Sequence, residues 1–259
     1  MSRRLTAAAE AATDVLVTLE ASGACEGFLW SSLRTLHGPS GDTLVCHLNS
    51  IVLTRDSRGQ GLGSIVMAHL EHVARDAGFA AVSLNSRADN PRVAGFYERL
   101  GYERVGLDLE KALTSSGPPR PEPSFQRLPW PQQPHASFER SPAYAAPLRD
   151  AFEPSPGGRP PSPTERFERQ GELLGLVGSA SRRATDGALI VVFDPFFVTL
   201  AGSSDTSIRD IVADREHAAR ESGAERAYVT VWDPRSLAAS VLQALGYRVG
   251  RHKWWKRLA

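Results

Sequence analysis

Two stretches of this chain repeat each other without a gap, 145 residues apart. Ala74-Arg-Asp-Ala-Gly78 is echoed by Ala219-Arg-Glu-Ser-Gly223, and Leu100-Gly-Tyr102 by Leu245-Gly-Tyr247. Glu71-His72 falls on Glu216-His217, and Thr54 on Thr199, at the same spacing. A register held over this length implies an internal duplication, so the chain must fold as two related units. Between them, 14 of the 18 prolines lie from Pro118 to Pro163. Proline fixes φ and removes amide donors, so this stretch reads as a linker with little regular structure. One ordered island, a short helix from Tyr144 to Phe152, is expected inside it. The expected division is a first domain over 1–113, a linker over 114–164 and a second domain over 165–259.

Composition narrows the function classes. The formal net charge of +1 offers no electrostatic case for binding nucleic acid or an anionic membrane surface. Apolar runs such as Ala188 to Phe193 are too short to span a bilayer. Residues 1–12 lack the apolar core of a secretory signal, so the expected compartment is the cytoplasm. Cys25 and Cys46 have no metal-type spacing and no metal is expected. They read as buried free thiols, with a pairing between them left open.

The first half shows its elements in order. Asp14 to Leu19, Gly27 to Leu33 and Thr43 to Leu53 are rich in β-branched and apolar residues between turns, which predicts antiparallel strands. After Gly63 the period becomes helical, with Leu62, Ile65, Val66, Leu70 and Val73 on one side and Gly78 as the stop. Ala81 to Leu84 predicts a short buried strand. Asn90-Pro91 is an N-cap followed by proline at the first helical position, Gly101 closes that helix, and Tyr102 to Leu107 is strand again. Strand, loop, helix and returning strand imply a parallel neighbour pair in a mixed sheet.

Arg58-Gly-Gln-Gly-Leu-Gly63 lies between a predicted strand and a predicted helix. Glycines there let backbone amides turn toward a ligand, and the helix end adds about half a positive charge. That suits a phosphate, although a plain structural turn has the same composition. No Gly-Lys-Ser/Thr follows, so it is not a P-loop, and Ser64 breaks the dinucleotide spacing.

Arg58-x-x-Gly61-x-Gly63, a helix, a strand, and then Asn90-x-x-Ala94-x-Phe96-Tyr97-x-x-x-Gly101-Tyr102 resemble the GNAT superfamily of acetyl-CoA-dependent N-acetyltransferases over residues 43–111. The resemblance implies an α/β (α+β) fold: two GNAT-like domains, each a mixed, mostly antiparallel sheet flanked by helices. It implies acetyl-CoA as co-substrate, with its pyrophosphate on the amides of Gly59, Gln60, Gly61, Leu62, Gly63 and Ser64 and Arg58 beside it. It places the pantetheine arm along Ile51, Val52 and Leu53, with a backbone amide of that strand facing the oxyanion. Tyr97 holds the family's position for the acid that protonates the thiolate; an aromatic on a core-facing helix side fits it equally. Asn90 serves as N-cap and as a contact to the CoA arm, two compatible roles.

The sequence departs from the family in two places. No carboxylate stands between Cys46 and Leu53 to act as base. His47 has a suitable reference pKa, while a structural histidine or a water relayed through Asn49 are the alternatives. Only about 13 residues precede Asp14, where the family carries a strand and two helices that shape the acceptor side. In the second half, Arg58, Gly61 and Gly63 become Ser203, Thr206 and Ile208, Asn90 becomes Arg235, and Tyr97 becomes Leu242. The second copy is therefore expected to lack cofactor chemistry and to pack on the first. Trp254-Trp255 reads as part of a final strand or as a contact surface. The expected activity is acetyl transfer to a small-molecule or peptide amine, with a CoA-binding or interaction module without transferase activity as the alternative. A homodimer stays open, and neither nucleic acid nor membrane is expected as partner.

Overall fold

The structure is a computed structural model that describes residues 3–10, 14–21, 24–38, 41–114, 125–129, 164–198, 202 and 204–258. The helix expected over Tyr144 to Phe152 lies outside them. The elements are β1 (Arg3–Glu10), β2 (Asp14–Ala21), β3 (Ala24–Gly38), β4 (Gly41–Leu53), α1 (Leu62–Asp76), β5 (Ala81–Arg87), α2 (Pro91–Arg99) and β6 (Glu103–Ala112), followed by β7 (Gln126–Pro129), β8 (Thr164–Arg169), β9 (Glu172–Arg183), β10 (Leu189–Val198), α3 (Asp205–Glu221), β11 (Arg226–Val231), α4 (Leu237–Ala244) and β12 (Arg248–Arg257). Among the described residues, no helix is long and apolar enough to cross a membrane.

The chain forms two compact units whose limits do not follow chain order. Unit 1 is Met1–Ser86, Asn90–Arg104 and Lys253–Ala259; unit 2 is Arg87–Asp89 and Val105–His252. In unit 1, β1 to β4 form an antiparallel meander, and β4 runs parallel to β5. The end of β12, from Lys253, lies next to β5. In unit 2, β7 to β10 are antiparallel, β10 runs parallel to β11, and β11 pairs antiparallel with β6. Within each unit the strand pairing is mixed and mostly antiparallel, as expected.

The duplication is visible in the hydrogen-bond ladders. Val45↔Ala81 through Leu48↔Leu84 in unit 1 correspond, residue for residue at the 145 offset, to Ile190↔Arg226 through Phe193↔Val229 in unit 2. Gly78 and Gly223, and Gly101 and Gly246, all have positive φ. Glycine adopts that conformation without the penalty a Cβ brings, so the same residues end the same helices.

Several expectations need correction. The core stripe of α1 runs through Leu62, Val66, Met67, Leu70 and Ala74, while Ile65 and Val73 are exposed. Cys46 is buried and free, but Cys25 is exposed. The proline-rich stretch carries a strand, β7, with Phe125 beside it in the core of unit 2. Pro129 is tolerated there because β7 is an edge strand, where a missing amide donor costs little. Trp254 and Trp255 are both buried, Trp254 in the core of unit 1 among Val66, Met67, Tyr97 and Tyr102.

That last placement has a mirror image. In unit 1, Lys256 Nζ bonds Glu71 of α1 at 2.7 Å and lies over the Tyr102 ring at 5.5 Å. In unit 2, Lys111 Nζ bonds Glu216 of α3 at 2.7 Å and lies over the Tyr247 ring at 5.3 Å. All three residues of one set are the 145-offset counterparts of the other. Each unit therefore takes its Glu and Tyr from one repeat and its Lys from the last strand of the other.

Candidate active site

The loop after β4 is held by its own bonds. Thr54 Oγ1 and Ser57 Oγ lie 2.5 Å apart, Gln60 Nε2 donates to Asp56 O at 2.8 Å, and Arg58 Nε donates to Leu53 O at 3.1 Å. Gly59 and Gly61 have φ of 77° and 78°, a region that favours glycine. Gly61 caps α1 with no side-chain bond, and no acidic residue stands in the first turn. The first helical bonds run from Ser64 N and Ile65 N to Gly61 O, so the amides ahead of Ser64 have no intrahelical acceptor. A Cβ on Gly63 would sit 3.2 Å from the Phe96 ring, so α1 approaches α2 closely enough that a side chain there would push the ring aside by a few tenths of an ångström.

The neighbouring strand supplies an open edge. The β4–β5 ladder ends at Leu48↔Leu84, yet β4 continues to Leu53. On its other side β4 stays paired with β3, with a register shift that leaves Asn49 as the extra residue between Leu48 and Ser50. A bulge of this kind turns the strand and re-aims its backbone. From Asn49 to Leu53, the β4 groups facing away from β3 thus have no strand partner among the described residues. Ile51, Val52 and Leu53 lie on this segment.

Tyr97 sits on α2 within the unit 1 core. Its ring contacts Phe96, Tyr102 and Trp254 with centroids 5.1, 5.7 and 5.9 Å away. Burial pushes its phenol up to about 12, so it holds its proton. Asn90 caps α2 by accepting a hydrogen bond from Val93 N at 3.3 Å, which leaves its side-chain NH₂ available to donate. His47 precedes the open edge and lies on the other face of the sheet from Cys46 and Leu48, which join the Tyr97 cluster. Its Nδ1 is 2.9 Å from Ser83 Oγ. Burial, reinforced by the positive charges of Arg34 and Lys253, lowers its pKa to about 4. The structure thus brings loop, open edge and Tyr97 together on one core and sets His47 across the sheet from it.

Residues 5–102 match the family model described as acetyltransferase (GNAT) family. Residues 5–102 are a GNAT-family domain. A mycothiol acetyltransferase of Arthrobacter sp. (strain FB24) is 30% identical over 95 residues, covering 36% of this chain and 28% of that protein. The chain thus spans under a third of that relative's length. Among solved structures, a GCN5-related N-acetyltransferase from Sphaerobacter thermophilus aligns over 95% of this chain and 81% of its own, with TM-score 0.55 and 16% identity. A tandem GNAT protein from the clavulanic acid biosynthesis pathway aligns over 95% and 83%, with TM-score 0.50 and 14% identity. At these identities the two structures show the fold alone.

The second GNAT-like copy keeps the strand geometry and closes the helix end. Its β10–β11 ladder stops at Phe193↔Val229, and β10 is irregular just beyond. However, Ser204 caps α3 by accepting from Ser207 N at 3.1 Å, and Asp205 occupies the first turn. A side-chain oxygen takes the place a phosphate would need, and a carboxylate there repels an anion.

Sequence reasoning missed the residues brought in by β12. Trp254 Nε1 donates to Ser86 Oγ at 2.8 Å, and Lys256 Nζ donates to Leu100 O at the end of α2 at 2.7 Å. The recurrence of Glu71 as Glu216 and of Lys111 as Lys256 was the available signal.

Proposed function

We propose that this protein is an acetyl-CoA-dependent N-acetyltransferase whose single cofactor site lies in unit 1, with unit 2 a non-catalytic copy. The observation that carries the reading is the open edge of β4 from Asn49 to Leu53, ending at an uncapped helix N-terminus. The amides of Gly59 to Ser64 would take the pyrophosphate, and the terminal nitrogens of Arg58 would pair with it. Ile51, Val52 and Leu53 would bond the pantetheine amides as a strand does, and Asn90 would donate to the same arm. The amine attacks the thioester carbonyl, a β4 amide takes the oxyanion, and Tyr97 gives its proton to the departing thiolate. His47 lies across the sheet and, with a conjugate acid near 4, is too weak a base to take the amine's proton, which would leave through water held at Asn49. The acceptor is a small-molecule or peptide amine. The name of the matched mycothiol acetyltransferase supports the small-molecule side of that pair.

Thiol release from acetyl-CoA with a panel of amines tests this. Tyr97→Phe should lower kcat by about 10²–10⁴-fold with little change in the KM for acetyl-CoA. Unchanged kcat would remove Tyr97 from the reaction. The low proton affinity of His47 and the missing carboxylate favour one second reading, CoA binding without transfer. Saturable CoA binding with no thiol release on any amine would establish it.

A further inference from the structure

Unit 1 contains a cavity of about 240 Å³ between α1 and the sheet. Val15 and Val17 of β2 and Leu33 of β3 form one wall, and Leu70 and Val73 of α1 the other. The space exists because small residues face each other across it: Ser31 on β3, and Ala74 and Ala77 at the end of α1. Protein interiors are close-packed, and voids of this size are few in any domain.

The other repeat differs in the same layer. The counterpart of Leu70 at the 145 offset is Arg215, a buried side chain on α3 that bonds Asp214 and reaches Glu165 of β8. Its guanidinium lies 5.3 Å from the centroid of Phe167. At this position unit 2 thus sets an ion-paired arginine between helix and sheet, whereas unit 1 has a leucine.

The lining states what the cavity can hold. Among the described residues no Asp, Glu, Lys or Arg borders it, and its inner polar groups, the Ser31 hydroxyl and the Cys46 thiol, bond each other. A charged ligand would be desolvated without compensation. Entry needs no unfolding: Val73 is 47% exposed and His69 beside it is exposed, both at the rim. A cavity of about 150 Å³ with apolar walls takes up benzene, so 240 Å³ scales to about ten non-hydrogen atoms. We propose that this cavity is a binding site for a small uncharged apolar molecule of that size. The proposal is independent of the acetyl-transfer reading, because none of the cavity's walls belongs to the loop or to the open edge of β4.

Indole is a suitable probe, and calorimetry on the full chain is the readout. Indole should bind saturably with a dissociation constant of about 1 mM or tighter. Ala74→Leu, which fills the cavity from α1, should weaken binding at least about tenfold, and Ala77→Trp, at the exposed rim, should do the same if the first variant does not fold. Indole-3-acetate, the same body with a charge, should bind at least about tenfold more weakly than indole. No saturable binding up to the solubility limit of indole overturns the proposal. So does unchanged affinity in the folded variants, which would place indole elsewhere, as on the exposed Phe28 and Trp30 of the sheet. Equal binding of the acetate would overturn the assignment of an uncharged ligand.

Discussion

Replacing Trp254 by alanine removes a side chain that is 1% exposed from the core of unit 1, although the residue belongs by sequence to the second repeat. An indole ring buries about 200 Å², which at about 25 cal/mol per Å² is worth ~5 kcal/mol. The methyl group that remains and partial collapse of the site lower this, and measured tryptophan-to-alanine losses in cores run about 3–5 kcal/mol. Ser86 Oγ also loses its donor at 2.8 Å, worth about 1 kcal/mol unless water replaces it. The expected loss is therefore about 4 kcal/mol, a large part of the stability of an average domain. Its location is the decisive readout. Peptide-resolved hydrogen exchange should show faster opening of α1 and α2, residues 62–76 and 91–99, ahead of α3 and β11. The mirror variant Leu109→Ala, which empties a fully buried position in unit 2, should cost about 2–5 kcal/mol and open α3 and β11 first. If Trp254→Ala costs under about 1 kcal/mol, or loosens only residues 105–252, β12 does not complete unit 1.

A fragment ending at Leu113 keeps the whole acetyltransferase motif but lacks Trp254 and Lys256. It should show no cooperative thermal transition and no acetyl-CoA binding, and a stable, binding-competent fragment would refute the exchange of strands. Gly61→Val should abolish acetyl-CoA binding by calorimetry while costing only about 1–2 kcal/mol of stability, since its Cβ meets nothing but must adopt a positive φ. His47 titrates near 4 in the folded chain against about 6.5 unfolded, so its contribution is complete above about pH 6.5 and is lost as pH falls toward 4. That contribution is at most about 3 kcal/mol, and denaturant midpoints between pH 4 and 7 should fall less steeply with acid in His47→Asn than in the parent.

Local chemistry was legible wherever a residue type is forced by its own backbone. Gly59 and Gly61 at positive φ, Asn90 as the cap of α2 and Gly101 as its stop stand where spacing predicted them, because φ limits and capping bonds are set within a few residues. The parallel ladder from Val45 to Leu48 followed from strand, loop, helix and strand in series. Apolar pattern alone misplaced Ile65 and Val73, because a helix shows its period but not which of two adjacent stripes the sheet will cover.

The sequence by itself determined that the chain is doubled and that only the first copy keeps the glycine loop from Arg58 to Gly63. Those are properties of residue identity and short-range geometry. Tertiary structure decided that Trp254 and Lys256 complete unit 1 while Leu109 and Lys111 complete unit 2. The two repeats carry equivalent final strands, each with its lysine, so either strand offers the same bonds to either Glu–Tyr pair. Nothing in a local pattern distinguishes two such chemically matched partners, and packing of the whole chain makes the choice.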